Sequence, residues 1–172
     1  MRQKQPQVVQ APLVPRFGSV FVLSADGIVQ YSRSFSSDYK AVAVDDQLTK
    51  FIYSIMDNIQ YEYRNQAQKD YLLTFDLTKR EQFHSFSQRL GYFVHCFRTV
   101  NNSTFVLMHS EQMRPSSDEA LKQFFFHLYH CYLIEEMNPF FRTHNTIQED
   151  NPALDEEVLR AFRMLKLAPL VK

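Results

Sequence analysis

Residues 121–141 read LKQFFFHLYHCYLIEEMNPFF. Leu121, Phe124, Phe125, Leu128, Tyr129 and Tyr132 recur at three- and four-residue intervals, which places them on one helical stripe. Upstream, Ser116 to Glu119 carries a capping-box pattern, with Asp118 and Glu119 at the positive end of the helix dipole. Asn138-Pro139 is the stop signal, because a residue before proline is pushed out of helical geometry. The face opposite the stripe should be polar, yet Phe126, Leu133, Ile134 and Met137 lie there. A helix apolar over most of its circumference has to be covered on more than one side.

The rest of the 172-residue chain must supply that cover. The length suits one domain, here one domain with tails. Apolar residues make up 45% of the chain, with 16 Phe, 9 Tyr and no Trp, which describes a globular core rich in aromatics. Nineteen basic residues balance nineteen acidic ones without a Lys/Arg cluster, so the chain offers no footprint for nucleic acid. Cys96 and Cys131 are too few for a disulfide framework and read as small buried hydrophobes of a reducing compartment. No apolar signal core and no membrane-length apolar window is present, so the expected location is cytoplasmic.

Residues 1–15, with Pro6, Pro12 and Pro15 among glutamines, read as a flexible N-terminal arm. The domain is expected over 16–168. Phe17 to Leu23 and Ile28 to Phe35 are strand-like runs around Asp26-Gly27, a hairpin signal. Ser36 to Val44 reads as a loop. The first helix starts near Asp45-Asp46, with Leu48, Phe51, Ile52, Ile55, Met56 and Ile59 on its buried stripe. Tyr53 and Tyr61 stand on its back as the aromatics available to a partner. Residues 64–82 hold one strand-like run, YLLTFDL, inside a segment that looks like an insertion or irregular piece. Two further strands, GYFVHCFRTV and STFVLMHS, flank Asn101-Asn102, and asparagine tolerates the left-handed conformation a tight turn needs. A loop spans Arg142 to Asp150. Asn151-Pro152 then caps and opens a last helix with Leu154, Val158, Phe162 and Leu165 inward. The predicted architecture is α+β: a five-stranded antiparallel sheet with one helix on one face and two on the other. The last helix is expected to cover part of the central helix's second face, Met137 included.

His127 and Cys131 are i, i+4 neighbours with His130 between them, a spacing able to hold a metal or pair a thiol with an imidazole. The sequence offers only Glu135 as a further ligand on that side. The preferred reading is a small buried cysteine beside partly exposed histidines, with no catalytic residue, no metal and no cofactor. Three glycines, Gly18, Gly27 and Gly91, make no phosphate-cradling loop. The expected site is instead a partner-binding surface made of Tyr53, Tyr61, Phe126, His130, Leu133, Ile134 and Met137.

Residues 90–155 resemble the sedlin family, small subunits of the transport protein particle, a vesicle tether. The resemblance rests on the hairpin YFVHCFRTVNNSTFVLMHS and the helix QFFFHLYHCYLIEE. It continues through Met137-Asn138-Pro139-Phe140-Phe141, Thr146-Ile147 and Leu154-Asp155, which stands where the family has Phe-Asp. The arm and the 64–82 segment depart from the family. The resemblance implies a longin (profilin-like) fold and a non-enzymatic adaptor in ER–Golgi and Golgi traffic. Its implied partners are other tether subunits and, indirectly, Rab GTPases, with peripheral membrane contact. The alternatives are a longin domain of a SNARE or adaptor small chain, or a metal- or thiol-dependent enzyme using His127, His130 and Cys131.

Overall fold

The computed structural model describes residues 18–35, 40–65, 72–76, 92–110, 115–139, 142–143, 146–147 and 151–165. The proposed arm at 1–15, parts of the 64–82 segment and Phe140-Phe141 lie outside the described residues. In chain order the elements are β1 (Gly18–Leu23), β2 (Val29–Phe35), β3 (Ala41–Val42), α1 (Asp46–Asn65), β4 (Leu72–Asp76), β5 (Tyr92–Arg98), β6 (Thr104–Ser110), α2 (Asp118–Met137), β7 (Arg142–Thr143), β8 (Thr146–Ile147) and α3 (Pro152–Met164).

The main sheet has the order β3-β2-β1-β6-β5-β4, and every neighbouring pair is antiparallel. It has six strands, not the expected five, because Ala41–Val42 pairs with Ser34 and Phe35 inside the segment read as a loop. Two residues are too few to show a period of two, so this strand left no pattern in the sequence. Likewise, β7 and β8 form a small separate ribbon within the 142–150 stretch read as a loop. The two hairpins turn where expected: Gly27 has φ 77° and Asn102 φ 65°, both in the left-handed region.

β1 and β6 are buried along their whole length and sit at the centre of the sheet. Their alternating side chains feed two cores. Val20, Val22, Phe105 and Leu107 meet α2 and α3 on one face. Phe21, Leu23, Val106 and Met108 meet the stripe of α1 on the other. One helix covers one face and two cover the opposite one, which makes a longin-like α+β domain.

α2 is capped one residue later than expected, by Ser117, whose side chain accepts from the Ala120 N–H. Ser116 is used otherwise: its N–H and hydroxyl both donate to the Leu165 carbonyl at the end of α3. α2 stops at Met137, and Asn138 is extended before Pro139. Asn151 caps α3 as expected, accepting from the Leu154 N–H, and donates to Glu135 on α2.

A buried polar chain crosses β4, β5 and β6. His109 Nδ1 lies 2.8 Å from the Ser110 carbonyl, which only accepts, so Nδ1 carries the proton and Nε2 accepts. His95 Nε2, 2.8 Å away, therefore donates to it, and His95 Nδ1 accepts from the Thr74 hydroxyl at 2.9 Å. With both imidazoles neutral, every ring nitrogen is paired. Burial first, and the adjacent His109 second, hold His95 well below its ordinary value, at about 3. In the unfolded chain the same ring takes up its proton near 6.5. Between these values the unfolded state binds more protons, so stability falls as pH drops. A loss of about 2 kcal/mol is expected from this group between pH 7 and pH 5. Urea denaturation at both values, with His95→Phe expected to flatten the difference, measures it; an unchanged pH dependence in the variant would show that His95 is not the group responsible.

Candidate functional site

α2 carries three kinds of surface, each set by its angle around the helix. Leu121, Phe124, Phe125, Leu128 and Tyr132 are buried against the sheet. Ring packing fixes that face: Phe125 stacks on Phe97 with centroids 5.6 Å apart, and Tyr132 meets Phe105 edge-on at 5.5 Å.

The flank bearing His127, Cys131 and Glu135 meets α3. His127 Nε2 lies 3.2 Å from Glu157 Oε2, and Cys131 Sγ lies 3.6 Å from His127 Nε2 and 3.8 Å from Glu157 Oε2. The other oxygen of Glu157 accepts from Arg160 Nη1 at 2.6 Å. Sequence spacing brought His127 and Cys131 together but missed Glu157, which arrives from another helix. Cys131 is half-buried, not the buried hydrophobe expected of it. Burial, and then the Glu157 carboxylate, push its thiol up to about 11, so it is protonated at neutral pH and a weak nucleophile. His130 stands apart from this cluster and is exposed.

The third surface faces away from the sheet. Phe126, His130, Leu133, Ile134 and Met137 follow at four-, three-, one- and three-residue steps and share it. Phe126 is 53%, Ile134 57% and Met137 81% exposed. The expectation that α3 covers Met137 is therefore overturned. α3 docks on the flank of α2 because Phe162 must reach Phe35 and Phe124, and that contact carries it away from Met137. On its inner edge Phe126 meets the Phe97 ring edge-on at 5.5 Å.

Tyr53 and Tyr61 are not part of that surface. They lie on α1, across the sheet, and are also exposed. Tyr53 is partly engaged within the fold, since its hydroxyl accepts from the Val29 N–H at 3.2 Å. Sequence reasoning passed over Val100, which is 88% exposed at the tip of the β5–β6 hairpin. The signal was present: an apolar residue immediately before the Asn101-Asn102 turn has no sheet face to enter. Among the described residues, no helix is long and apolar enough to cross a membrane.

The α3 attachment is polar at its start. Asp155, in the first turn of α3, accepts from the Tyr31 hydroxyl at 2.6 Å and from Arg33 Nε at 3.2 Å, both on β2. The described residues thus make a longin-like domain with a two-sided core and an exposed apolar stripe on α2. The chain belongs to the sedlin family: the Sedlin family profile matches residues 23–164. It is also similar to a Caenorhabditis elegans protein named "Probable trafficking protein particle complex subunit 2", 30% identical over 66 residues. That match covers 38% of this chain and 43% of the relative.

Proposed function

We propose that this protein is a non-catalytic adaptor or scaffold subunit of a multisubunit vesicle tether acting in ER–Golgi and Golgi traffic. Its direct partners are other tether subunits, its link to Rab GTPases runs through the assembled particle, and its contact with membranes is peripheral. The observation that carries this reading is the exposed apolar stripe of α2, Phe126, Ile134 and Met137 with His130 and the half-buried Leu133, beside two packed cores. Spacing of this kind is what a helix presents to a complementary groove. Family membership and the name of the nematode relative supply the kind of partner. They favour this reading over a longin domain of a SNARE or an adaptor small chain. The tyrosines of α1 form a second, smaller contact in the same reading.

Affinity capture of the tagged chain from cells should recover tether subunits. Phe126→Asp and Met137→Asp should each cut that recovery by at least about 10-fold, as expected of residues central to an interface. Met137→Asp should shift the thermal midpoint of the isolated protein by no more than about 2 °C, as a surface substitution, and Phe126→Asp, whose ring also meets Phe97, by no more than about 4 °C. Wild-type capture that returns no tether subunit would remove the proposal. Loss of folding in both variants would instead reassign this face to the core.

A further inference from the structure

The α2–α3 seam brings together three side chains whose ligand atoms all lie within 4.8 Å of one another. We propose that His127, Cys131 and Glu157 form a zinc-binding site that clamps α3 to α2.

His127 Nε2, Cys131 Sγ and Glu157 Oε2 converge, with separations of 3.2, 3.6 and 3.8 Å. A tetrahedral zinc ion bonds imidazole nitrogen at about 2.0–2.1 Å, carboxylate oxygen at about 2.0–2.2 Å and thiolate sulfur at about 2.3 Å. At tetrahedral angles those bonds space nitrogen from oxygen by about 3.4 Å, and sulfur from either by about 3.6 Å. Each observed separation matches within about 0.2 Å, so one ion reaches all three atoms with little movement.

The donor types agree with the geometry. Sulfur, imidazole and one carboxylate oxygen form a mixed set that favours zinc over the hard cations magnesium and calcium. Glu157 divides its two oxygens: Oε1 accepts from Arg160, leaving Oε2 for the cluster. Arg160 also pairs with Glu156, so its positive charge opposes a bound cation less than its proximity suggests. By holding Oε1, Arg160 orients the Glu157 carboxylate from outside the coordination sphere. The cluster is partly open to solvent, with 25% of the His127 side chain and 31% of that of Glu157 exposed. An ion can enter, and water can fill the fourth position. On binding, the ion replaces the thiol proton of Cys131, which is released to solvent. His127 Nε2, which donates to the Glu157 carboxylate in the metal-free cluster, also gives up its hydrogen, and the ring binds as the tautomer that carries its hydrogen on Nδ1.

The ligands come from two helices, so the ion acts as a cross-link. It binds the folded arrangement and stabilises the docking of α3, independently of which partner α2 engages.

The test uses the full chain, purified under reducing conditions and freed of metal by a chelator. Titration with zinc chloride against a chromophoric chelator should give one ion per chain and a raised thermal midpoint. Cobalt chloride should give a thiolate-to-cobalt charge-transfer band. Cys131→Ser should abolish the band. Cys131→Ser and Glu157→Gln should each weaken zinc binding by about 100-fold or more, exceeding the loss usual for an outer partner. Glu157→Gln, the more exposed change, keeps the test intact if Cys131→Ser does not fold. Wild-type binding no tighter than that of the folded variants would overturn the site, as would a band that survives in Cys131→Ser and so belongs to Cys96.

Discussion

Phe125→Ala is expected to destabilise the protein by about 3–5 kcal/mol, the range for truncating a fully buried aromatic side chain. Phe125 has no exposed surface, stacks on Phe97, and meets Phe124 edge-on at 5.2 Å. Its removal leaves a cavity between α2 and the sheet that rigid strands on one side and packed rings on the other cannot close. For a chain of this size the thermal midpoint should fall by on the order of 10 °C. The neighbouring substitution makes the contrast. Phe126→Ala removes the same atoms from a ring that is half exposed and touches the core only at its edge, so about 1 kcal/mol or less is expected. Equal effects at the two positions, measured by urea denaturation, would mean that the helix is rotated from the orientation described.

Asp155→Ala should cost about 3 kcal/mol or more. Asp155 and Arg33 are nearly buried, with side-chain exposures of 13% and 10%, and the Tyr31 hydroxyl donates to the same carboxylate oxygen. Burial, and then that hydrogen bond, push the Tyr31 hydroxyl well above its ordinary value and keep it protonated as a donor. Taking away one member of a buried ion pair is costly because the remaining charge has been desolvated for a partner it no longer has. Asp155→Asn, which retains an oxygen for Tyr31 but no charge, should lose less. If alanine and asparagine cost equally little, below about 1 kcal/mol, β2 and α3 are held by apolar packing alone.

The helices and hairpins were legible because their causes are local. The stripes of Leu48 to Ile59 and Leu121 to Tyr132 show the 3.6-residue period of a helix that buries one face, and all their residues are buried except Tyr129, which is half-buried. Asp26-Gly27 and Asn101-Asn102 named their turns through the left-handed backbone that each requires. Asn151 and Pro152 marked the start of α3 by cap chemistry. Ser116 misled because the capping-box spacing to Glu119 favours it over Ser117, whose third residue on is Ala120, while a contact 49 residues away draws the Ser116 hydroxyl to the Leu165 carbonyl.

In α2, local pattern alone shows that two faces are apolar and where the helix stops. The residues also carry the family, in the hairpin, the helix and the segment after Met137. How the second face divides depends on where α3 docks. α3 takes the flank of His127, Cys131 and Glu135, while Phe126, Ile134 and Met137 stay exposed. The same docking brings Glu157 to His127 and Cys131, and Asp155 to Tyr31 and Arg33. Those partners lie 26 to 124 residues apart in the chain. Periodicity reports which side of a helix is apolar; the angle at which another helix crosses it depends on ring packing among Phe35, Phe124 and Phe162. No local pattern encodes that angle, and it is what separates the covered part of α2 from the part left for a partner.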